Sequence, residues 1–246
     1  MMKAVILAAG AGVRLRPMTV KIPKALIEIG GQTLIERSLD QLQACGLKDI
    51  YIVTGYLGGL IRQKIGCTYK GLNIVYVDNP NYAHTGSMYS LSQLQPMLDD
   101  DIVLLESDLL YEDRALRLII DSRFDDAILI ADLLNEGDDV YVSANENNQV
   151  IYLGKVLLEV YRPLVTGCLV GISKYSFSFM QQLFATAKED YASGHLTAHY
   201  EECVLHTSRR HKPVYAVYAE NLTWTEIDTQ RDLQNARQAV YPRLQS

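Results

Sequence analysis

The sequence contains few cysteines, and none lies in a pattern typical of a metal site or a redox site. The four cysteines of this 246-residue chain, Cys45, Cys67, Cys168 and Cys203, are far apart and form no C-x-x-C pair. The five histidines have no metal-ligand spacing relative to them. We therefore predict that the cysteines are small buried residues in a reducing compartment, rather than zinc ligands, a disulfide framework or a thiol nucleophile.

The chain also lacks an excess of positive charge and any long apolar run. Its 23 basic and 29 acidic residues give a net charge of −6. General binding to nucleic acids or membrane surfaces requires an extended basic face, so neither partner is expected and any anion site must be local. No apolar run approaches the ~20 residues that span a bilayer. The first segment, "MMKAVILAAG", is expected to be a strand rather than a signal peptide, and the protein to be soluble and cytoplasmic. The oligomeric state is left open.

Short apolar runs alternate with helix-like patterns through the first half of the chain, which is typical of βαβ units and a mostly parallel sheet. A capping box of Thr33 and Glu36 predicts a helix that Gly46 ends. Strands are predicted at residues 3–9, 49–55, 72–78, 101–107 and 125–132, and further helices near 57–65, 87–97 and 112–122.

From about residue 138 the pattern changes to a hairpin, "DDVYVSANENNQVIYLG", with a polar Asn-rich turn. We predict a small lobe beside the sheet, about residues 138–172. The remaining predicted elements are strands at 167–173 and 214–220 and helices near 175–189, 197–209 and from about 229. Without internal repeats or a long linker, residues 1–246 are expected to form one α/β domain with a Rossmann-like, mostly parallel sheet flanked by helices.

The loop after the first predicted strand, "LAAGAGVRLRP" at residues 7–17, combines small residues with positive charge. Gly10 and Gly12 can adopt positive φ, and their N–H groups can line a phosphate-binding concavity. Arg14 and Arg16 point the same way if the segment is extended, and Arg14 can grip phosphate oxygens through its planar fork. The loop matches neither G-x-G-x-x-G nor the P-loop. The alternative is a loop that merely turns the chain, with solvated arginines.

Further along, Pro23 stiffens the chain and sets the direction in which Lys24 emerges. Together, "LAAGAGVRLRPMTVKIPKAL" resembles the signature of nucleotidyltransferases, which join a nucleoside triphosphate to a phosphorylated small molecule and release pyrophosphate. The resemblance implies that Arg14 and Lys24 are catalytic, holding the triphosphate and absorbing charge as pyrophosphate leaves. The loop residues that it implies as nucleotide-binding are Leu7, Ala8, Ala9, Gly10, Ala11, Gly12 and Val13.

The same resemblance implies a Mg²⁺ site built from two carboxylates. Asp108 follows the strand-like "DIVLLES", and Ser107 beside it is assigned to the nucleotide. Asp228 in "WTEIDTQRDL" is the second implied ligand, with Glu226 nearby. Magnesium prefers such hard oxygen ligands together with substrate phosphates. The alternatives are that Asp108 caps a turn and that Asp228 merely sits at a helix N-terminus.

A second segment, "YAHTGSMYSL", resembles one in the phosphocholine and 2-aminoethylphosphonate cytidylyltransferases. The resemblance implies CTP as the donor, with Thr85, Gly86 and Ser87 facing the cytosine and ribose. Lys155 in "LGKV" matches a lysine expected to meet the phosphoryl group of the acceptor and is therefore assigned a catalytic role. The residues assigned to the acceptor itself are Tyr200, Glu201 and Glu226.

The choice of acceptor rests on Glu201, which stands where the phosphocholine enzymes carry a tryptophan. A carboxylate can accept hydrogen bonds from a primary ammonium, whereas a trimethylated ammonium has no N–H. We therefore expect 2-aminoethylphosphonate, or a similar small aminoalkyl phosphoryl compound, ahead of phosphocholine. The alternatives left open are an exposed acidic helix face, a sugar-1-phosphate nucleotidyltransferase using another triphosphate, and a non-catalytic nucleotide-binding regulatory protein.

Overall fold

The computed structural model of the protein describes residues 2–134 and 139–245. The strands are β1 Lys3–Ala8, β2 Glu28–Ile29, β3 Gln32–Thr33, β4 Asp49–Thr54, β5 Thr68–Tyr69, β6 Leu72–Asp78, β7 Ile102–Glu106, β8 Leu109–Tyr111, β9 Ala127–Ala131, β10 Tyr141–Ala144, β11 Val150–Gly154, β12 Val165–Tyr175, β13 Tyr215–Tyr218 and β14 Trp224–Glu226. The α-helices are α1 Leu34–Ala44, α2 Gly58–Ile65, α3 Ser87–Ser92, α4 Arg114–Ile120, α5 Phe177–Ala192, α6 Tyr200–Arg210, α7 Gln230–Asn235 and α8 Tyr241–Leu244.

The mostly parallel sheet predicted from the βαβ pattern is present. Strands β6, β4, β1 and β7 lie side by side and run parallel. Strand β12 is antiparallel to β7 and to β9, and β13 runs parallel to β9. Helices cover both faces, since residues of α1, α2 and α4 pack in one core and residues of α3, α5 and α6 pack in the other. This double cover explains why β1 and β7 are almost continuously apolar.

The predicted hairpin is formed by β10 and β11, which pair antiparallel. It is the edge of the large sheet rather than a separate layer, because β10 also pairs with β12. The predicted lobe at 138–172 starts at a residue that lies outside the described part of the chain. The organisation of residues 1–246 as one domain stays a prediction.

The start and the end of helix α1 agree with the prediction from local sequence signals. The Thr33 hydroxyl accepts a hydrogen bond from the N–H of Glu36 at 3.3 Å, and the Glu36 carboxylate accepts one from the N–H of Thr33 at 3.0 Å. Helix α1 then ends before Gly46, which adopts φ +82°. The helix predicted at 87–97 is shorter, because Pro96 has no N–H to donate to the carbonyl of Ser92.

The prediction that all cysteines are buried is wrong for one of them. Cys168 and Cys203 are buried and Cys45 is half-buried, but Cys67 is exposed in the turn that follows α2. Burial raises the pKa of Cys168 and Cys203 to about 12, so neither thiol is a reactive thiolate at neutral pH. Among the described residues, no helix combines the length and apolar character needed to cross a membrane.

Candidate active site

A cavity of about 390 Å³ lies at the carboxyl ends of the parallel strands. Its walls are the loop after β1, the segment between β6 and α3, the end of β7, the start of α6 and the end of β14. Open α/β sheets place their ligands at this edge. A volume of this size suits a small-molecule ligand.

The loop after β1 is a tight turn rather than an extended segment. Gly12 adopts left-handed backbone angles, φ +55° and ψ 43°, and its carbonyl accepts a hydrogen bond from the Thr19 hydroxyl at 2.7 Å. The 3-10 turn Val13–Leu15 follows, and buried Leu15 anchors it in the core. Because of this turn Arg14 lines the cavity, whereas Arg16 does not. The extended geometry that would align the two arginines is therefore absent.

Most of the residues assigned to the site from the sequence line this one cavity. They are Leu7, Ala9, Gly10, Gly12, Val13, Arg14, Lys24, Thr85, Gly86, Ser87, Ser107, Asp108, Lys155, Tyr200, Glu201, Glu226 and Asp228. Ala11 is not in the lining, and Ala8 packs in the hydrophobic core because alternate strand residues face opposite sides of the sheet. Lining residues that the sequence analysis missed are Tyr82, Ser90, Glu106, Val140 and His199.

The two cations assigned to phosphate and the two carboxylates assigned to the metal meet at one point. The Lys24 ammonium forms ion pairs with both Asp108 and Asp228, and Arg14 forms a further ion pair with Asp228. Burial acts to lower the pKa of Lys24, but the carboxylates of Asp108 and Asp228 outweigh it and hold that pKa above its ordinary value. Burial likewise acts to raise the pKa of Asp228, and Lys24 lowers it below its ordinary value.

Asp228 is brought to Asp108 by strand pairing and by a helix cap. Strand β14 pairs antiparallel with β8, and the N–H of Ile227 donates to the carbonyl of Asp108 at 3.0 Å. Helix α7 is capped by Thr229, whose hydroxyl accepts from the N–H of Asp232 at 3.3 Å. Because Thr229 provides the cap, the side chain of Asp228 is free to enter the ion pairs of the cleft. Asp108 has no capping role in the described contacts; its side chain pairs with Lys24.

Three carboxylates of the cleft are close enough to share a cation. Oxygen atoms of Glu106, Asp108 and Glu226 all lie within 4.8 Å of one another. Asp108 Oδ1 is buried and has no hydrogen-bond partner. Burial, together with the negative charges of Asp108 and Glu201, raises the pKa of Glu106 to about 8, and burial beside Asp108 and Glu106 holds the pKa of Glu226 well above its ordinary value. This orphaned oxygen and this set of oxygen donors fit a divalent cation such as Mg²⁺.

The segment assigned to the nucleotide and the segment that precedes α6 are hydrogen-bonded to each other through their backbones. The N–H of Gly86 donates to the carbonyl of Leu196 at 2.9 Å. A Cβ at position 86 would lie 2.2 Å from the carbonyl oxygen of Ala198 and 2.4 Å from that of Thr197. Glycine at position 86 is therefore required by this close approach, which no local sequence signal indicated.

The start of α6, which carries residues assigned to the acceptor from the sequence, forms part of the cavity wall. Tyr200 is buried, and its hydroxyl donates to Glu106 Oε1 at 2.8 Å. Glu201 is only 6% exposed, whereas its neighbour Glu202 is exposed, so an exposed acidic helix face describes Glu202 but not Glu201. Burial raises the pKa of Glu201, although His199 and Lys155 act to lower it. Lys155 is exposed and lines the cavity just after β11.

The sheet is covered by helices on both faces, and its first strand leads into a glycine-rich turn. Cations and carboxylates gather at the same edge. This is the architecture of a nucleotidyltransferase. The chain belongs to the MobA-like NTP transferase domain family, which matches residues 4–239. It is accordingly a transferase of nucleotidyl groups. This membership argues against the alternative of a non-catalytic regulatory protein.

Among curated relatives, a choline-phosphate cytidylyltransferase of Streptococcus pneumoniae is 27% identical over 94% of this chain and 95% of its own length. A CMP-5'-(3-aminopropyl)phosphonate synthase of Streptomyces rubellomurinus is 34% identical over 45% of this chain, and the match spans only 18% of that relative. The inositol-1-phosphate CTP transferase from T. maritima has a TM-score of 0.80 at 20% identity, covering 100% of this chain and 95% of its own, which shows a shared fold.

Proposed function

We propose that the protein transfers CMP from CTP to a small phosphonate or phosphate acceptor and releases pyrophosphate. The observation that carries this proposal is the cavity itself, in which the Gly12 turn, Arg14 and Lys24 face the carboxylates of Asp108 and Asp228. Two anionic reactants repel each other, so a site that joins them needs concentrated positive charge in an otherwise acidic protein. Cytidine as the base is supported by relatives that are named as cytidylyltransferases.

We assign each residue a role from its position in the cavity. The backbone N–H groups around Gly10 and Gly12 cradle the triphosphate, and Arg14 and Lys24 bind its oxygens as negative charge builds on the leaving pyrophosphate. Lys155, which also lines the cavity, binds the phosphoryl group of the acceptor and orients one oxygen toward the α-phosphorus. Thr85 and Ser87 contact the ribose and the base.

In the reaction an acceptor oxygen forms a bond to the α-phosphorus while the bond from that phosphorus to the bridging oxygen breaks. The acceptor oxygen is already anionic near neutral pH, so no general base is needed, and positioning with charge neutralisation supplies the rate. The Lys24 ammonium now lies between Asp108 and Asp228 and exchanges these partners for phosphate oxygens when nucleotide binds.

Asp108 and Asp228, which share the Lys24 ammonium, would hold a Mg²⁺ ion in this scheme, and an oxygen of Glu226 lies within 4.8 Å of one of Asp108. When bound, the ion neutralises charge on the phosphate oxygens that it contacts. The carboxylates place and retain it, and their negative charge is the reason why a cation is required between them and the triphosphate.

We further propose that 2-aminoethylphosphonate is preferred to phosphocholine. Glu201 is buried in the cavity wall, where its carboxylate can accept hydrogen bonds from a primary ammonium group. A trimethylammonium group makes no such bonds and is held best by aromatic rings. The match to an aminopropylphosphonate synthase, although it spans a small part of that protein, supports the same class of acceptor.

The test is an assay of pyrophosphate release with CTP, UTP, GTP and dTTP, each combined with 2-aminoethylphosphonate, phosphocholine or glucose-1-phosphate in the presence of Mg²⁺. We expect the highest kcat/KM for CTP with 2-aminoethylphosphonate. A clear preference for phosphocholine would overturn the acceptor, and a preference for UTP or dTTP with glucose-1-phosphate would instead make the protein a sugar-1-phosphate nucleotidyltransferase. Nucleotide binding without pyrophosphate release would overturn the catalytic proposal as a whole.

A further inference from the structure

Glu106 is the charged residue of the cavity that neither the sequence analysis nor the proposed mechanism uses. It ends β7, two residues before Asp108, and lines the cavity. Its carboxylate accepts a hydrogen bond from the Tyr200 hydroxyl at 2.8 Å. Across the residues that the structure describes, no lysine, arginine or histidine forms an ion pair with Glu106.

The fold makes room for this buried carboxyl group. Gly171 of strand β12 lies beside Glu106 and adopts φ +82°. A Cβ at position 171 would lie 3.2 Å from Glu106 Cδ and 3.3 Å from Glu106 Oε2. Burying an ionised carboxylate without a cationic partner is costly, so the ionised form of Glu106 is stabilised when a ligand brings a cation to it.

Glu201 provides an independent observation on the same part of the cavity. It is more than nine-tenths buried, it lines the cavity, and no other side chain in the described part of the chain donates a hydrogen bond to its carboxylate. Tyr200, the preceding residue on α6, holds Glu106 by its hydroxyl. Helix α6 thus brings two carboxylates to one wall, Glu201 directly and Glu106 through Tyr200.

A metal ion at the carboxylates of Asp108 and Asp228 does not account for both Glu106 and Glu201. The Lys24 ammonium already marks the place where a cation is shared by Asp108 and Asp228, and Glu106 takes no part in those ion pairs. Glu106 belongs to the group of three carboxylates whose oxygens lie within 4.8 Å of one another, together with Asp108 and Glu226, whereas Glu201 lies outside it. A second cationic group, supplied by a substrate, satisfies both residues.

The geometry points to Glu106 as a specificity-determining residue that, together with Glu201, binds a primary ammonium group on the acceptor. This inference rests on the proposed cytidylyl transfer to a small phosphoryl acceptor. Each carboxylate accepts a hydrogen bond from the ammonium, and the Tyr200 hydroxyl keeps Glu106 oriented for it. Val140, which also lines the cavity, offers an apolar contact for the short alkyl chain that joins the ammonium to the phosphorus.

The experiment compares two acceptors that differ in the amine alone, 2-aminoethylphosphonate and ethylphosphonate, with CTP and Mg²⁺ held constant. The variant is Glu106→Gln, because the amide oxygen can still accept the hydrogen bond from Tyr200 while the charge is lost. The matched control is Glu202→Gln, which removes an exposed carboxylate on the same helix outside the cavity. Thermal melting checks that each variant folds.

We expect the wild-type protein to prefer the aminated acceptor. Glu106→Gln should lower kcat/KM for 2-aminoethylphosphonate by about tenfold to a hundredfold, the range for a hydrogen bond to a charged group. This loss should be at least ten times larger than the loss with ethylphosphonate. Glu202→Gln should leave the preference unchanged. If Glu106→Gln fails to fold, Tyr200→Phe carries the test, with a smaller loss in the same direction.

Three results would overturn the inference while cytidylyl transfer itself stands. They are equal use of both acceptors by the wild type, no amine-selective loss in Glu106→Gln, and an equal loss with both acceptors accompanied by a raised Mg²⁺ requirement, which would assign Glu106 to the metal. A wild-type protein that transfers CMP to none of the acceptors is a different result, because it refutes the proposed function from which the inference starts.

Discussion

The Ser87 hydroxyl accepts a hydrogen bond from the backbone N–H of Tyr200 at 2.9 Å, and both residues line the cavity. Ser87 begins α3 on the side assigned to the nucleotide, and Tyr200 begins α6 on the side assigned to the acceptor. Two helix starts that are far apart in sequence are thereby held in one arrangement. The segment assigned to the acceptor is therefore positioned partly by the segment assigned to the nucleotide.

This link predicts the effect of Gly86→Ala. The added methyl group meets the carbonyl oxygens of Thr197 and Ala198, so the two segments must separate. We expect the free energy of unfolding to fall by about 1–3 kcal/mol, and kcat/KM to fall for both CTP and the acceptor. The control is Gly59→Ala in α2, where an added Cβ meets nothing within 4 Å and alanine favours the helix. A Gly86→Ala protein with wild-type melting and wild-type kinetics would refute the link.

Removing either cation of the cleft, Arg14 or Lys24, should slow the reaction. Arg14→Ala and Lys24→Ala should each lower kcat by roughly a hundredfold to a thousandfold, because each removes a donor aimed at charge that develops during the reaction. Steady-state pyrophosphate release measures the effect, and circular dichroism checks the fold. Arg16→Ala is the control, since Arg16 is exposed and outside the cavity. Wild-type rates in both Arg14 and Lys24 variants would remove the catalytic assignment.

The paired carboxylates predict a metal requirement. Asp108→Asn and Asp228→Asn keep the shape of the side chain but remove the charge, so both should need a higher Mg²⁺ concentration for half-maximal activity and turn over more slowly. Chelation by EDTA should abolish wild-type activity, and added Mg²⁺ should restore it. Asp121→Asn, an exposed carboxylate at the end of α4, serves as the control. Full activity in EDTA would contradict the metal site.

The capping box of α1 predicts a pH effect on stability. Burial acts to raise the pKa of Glu36, but hydrogen bonds from the hydroxyl and N–H of Thr33 outweigh it and lower that pKa below its ordinary value. A lowered pKa means that the ionised group stabilises the folded state above the ordinary glutamate pKa of about 4.3, and that this contribution is lost as the pH falls through the folded pKa.

The measurement for Glu36 is urea unfolding of the wild type and Glu36→Gln between pH 7 and about pH 3. The difference in the free energy of unfolding should be largest at neutral pH and should narrow as the pH falls below about 4.3. Comparing the two proteins at each pH cancels the titration of the other carboxyl groups. A difference that stays constant or widens toward low pH would contradict the assignment.

The sequence was informative wherever the determining contacts are local. The Thr33 and Glu36 capping box could be predicted because both partners lie within one turn of helix. The parallel strands were evident because strands covered on both faces must be apolar on both faces. The Gly12 turn and Lys24 could be found because small residues, arginines and a proline-lysine pair carry a recognisable pattern.

Contacts between distant segments were beyond such reasoning. From the sequence, Glu106 is only the last residue of a buried strand. Its contacts could not be predicted, because Tyr200 and Gly171 belong to α6 and β12. Gly86 is required because of its contact with the backbone of Thr197 and Ala198, which are distant from it in the sequence. The one available signal for Glu106 was a charged residue at the carboxyl end of an apolar strand.

The orientation of Arg16 was missed for a different reason. An extended segment aligns residues two apart, whereas the 3-10 turn at Val13–Leu15 rotates them away from each other. The turn is fixed by the burial of Leu15 in the core. That burial depends on residues of α7 and α8, which pack in the same cluster. Arg14 alone therefore reaches the cavity from this pair.

The proposed function requires the turn after β1 to hold the triphosphate, and a crystal structure of the protein with CTP and Mg²⁺ would locate it. We expect the β- and γ-phosphates over the backbone N–H groups of residues 9–16, with Arg14 and Lys24 on their oxygens and the Lys24 pairs with Asp108 and Asp228 broken. A triphosphate bound elsewhere, with those ion pairs intact, would contradict it.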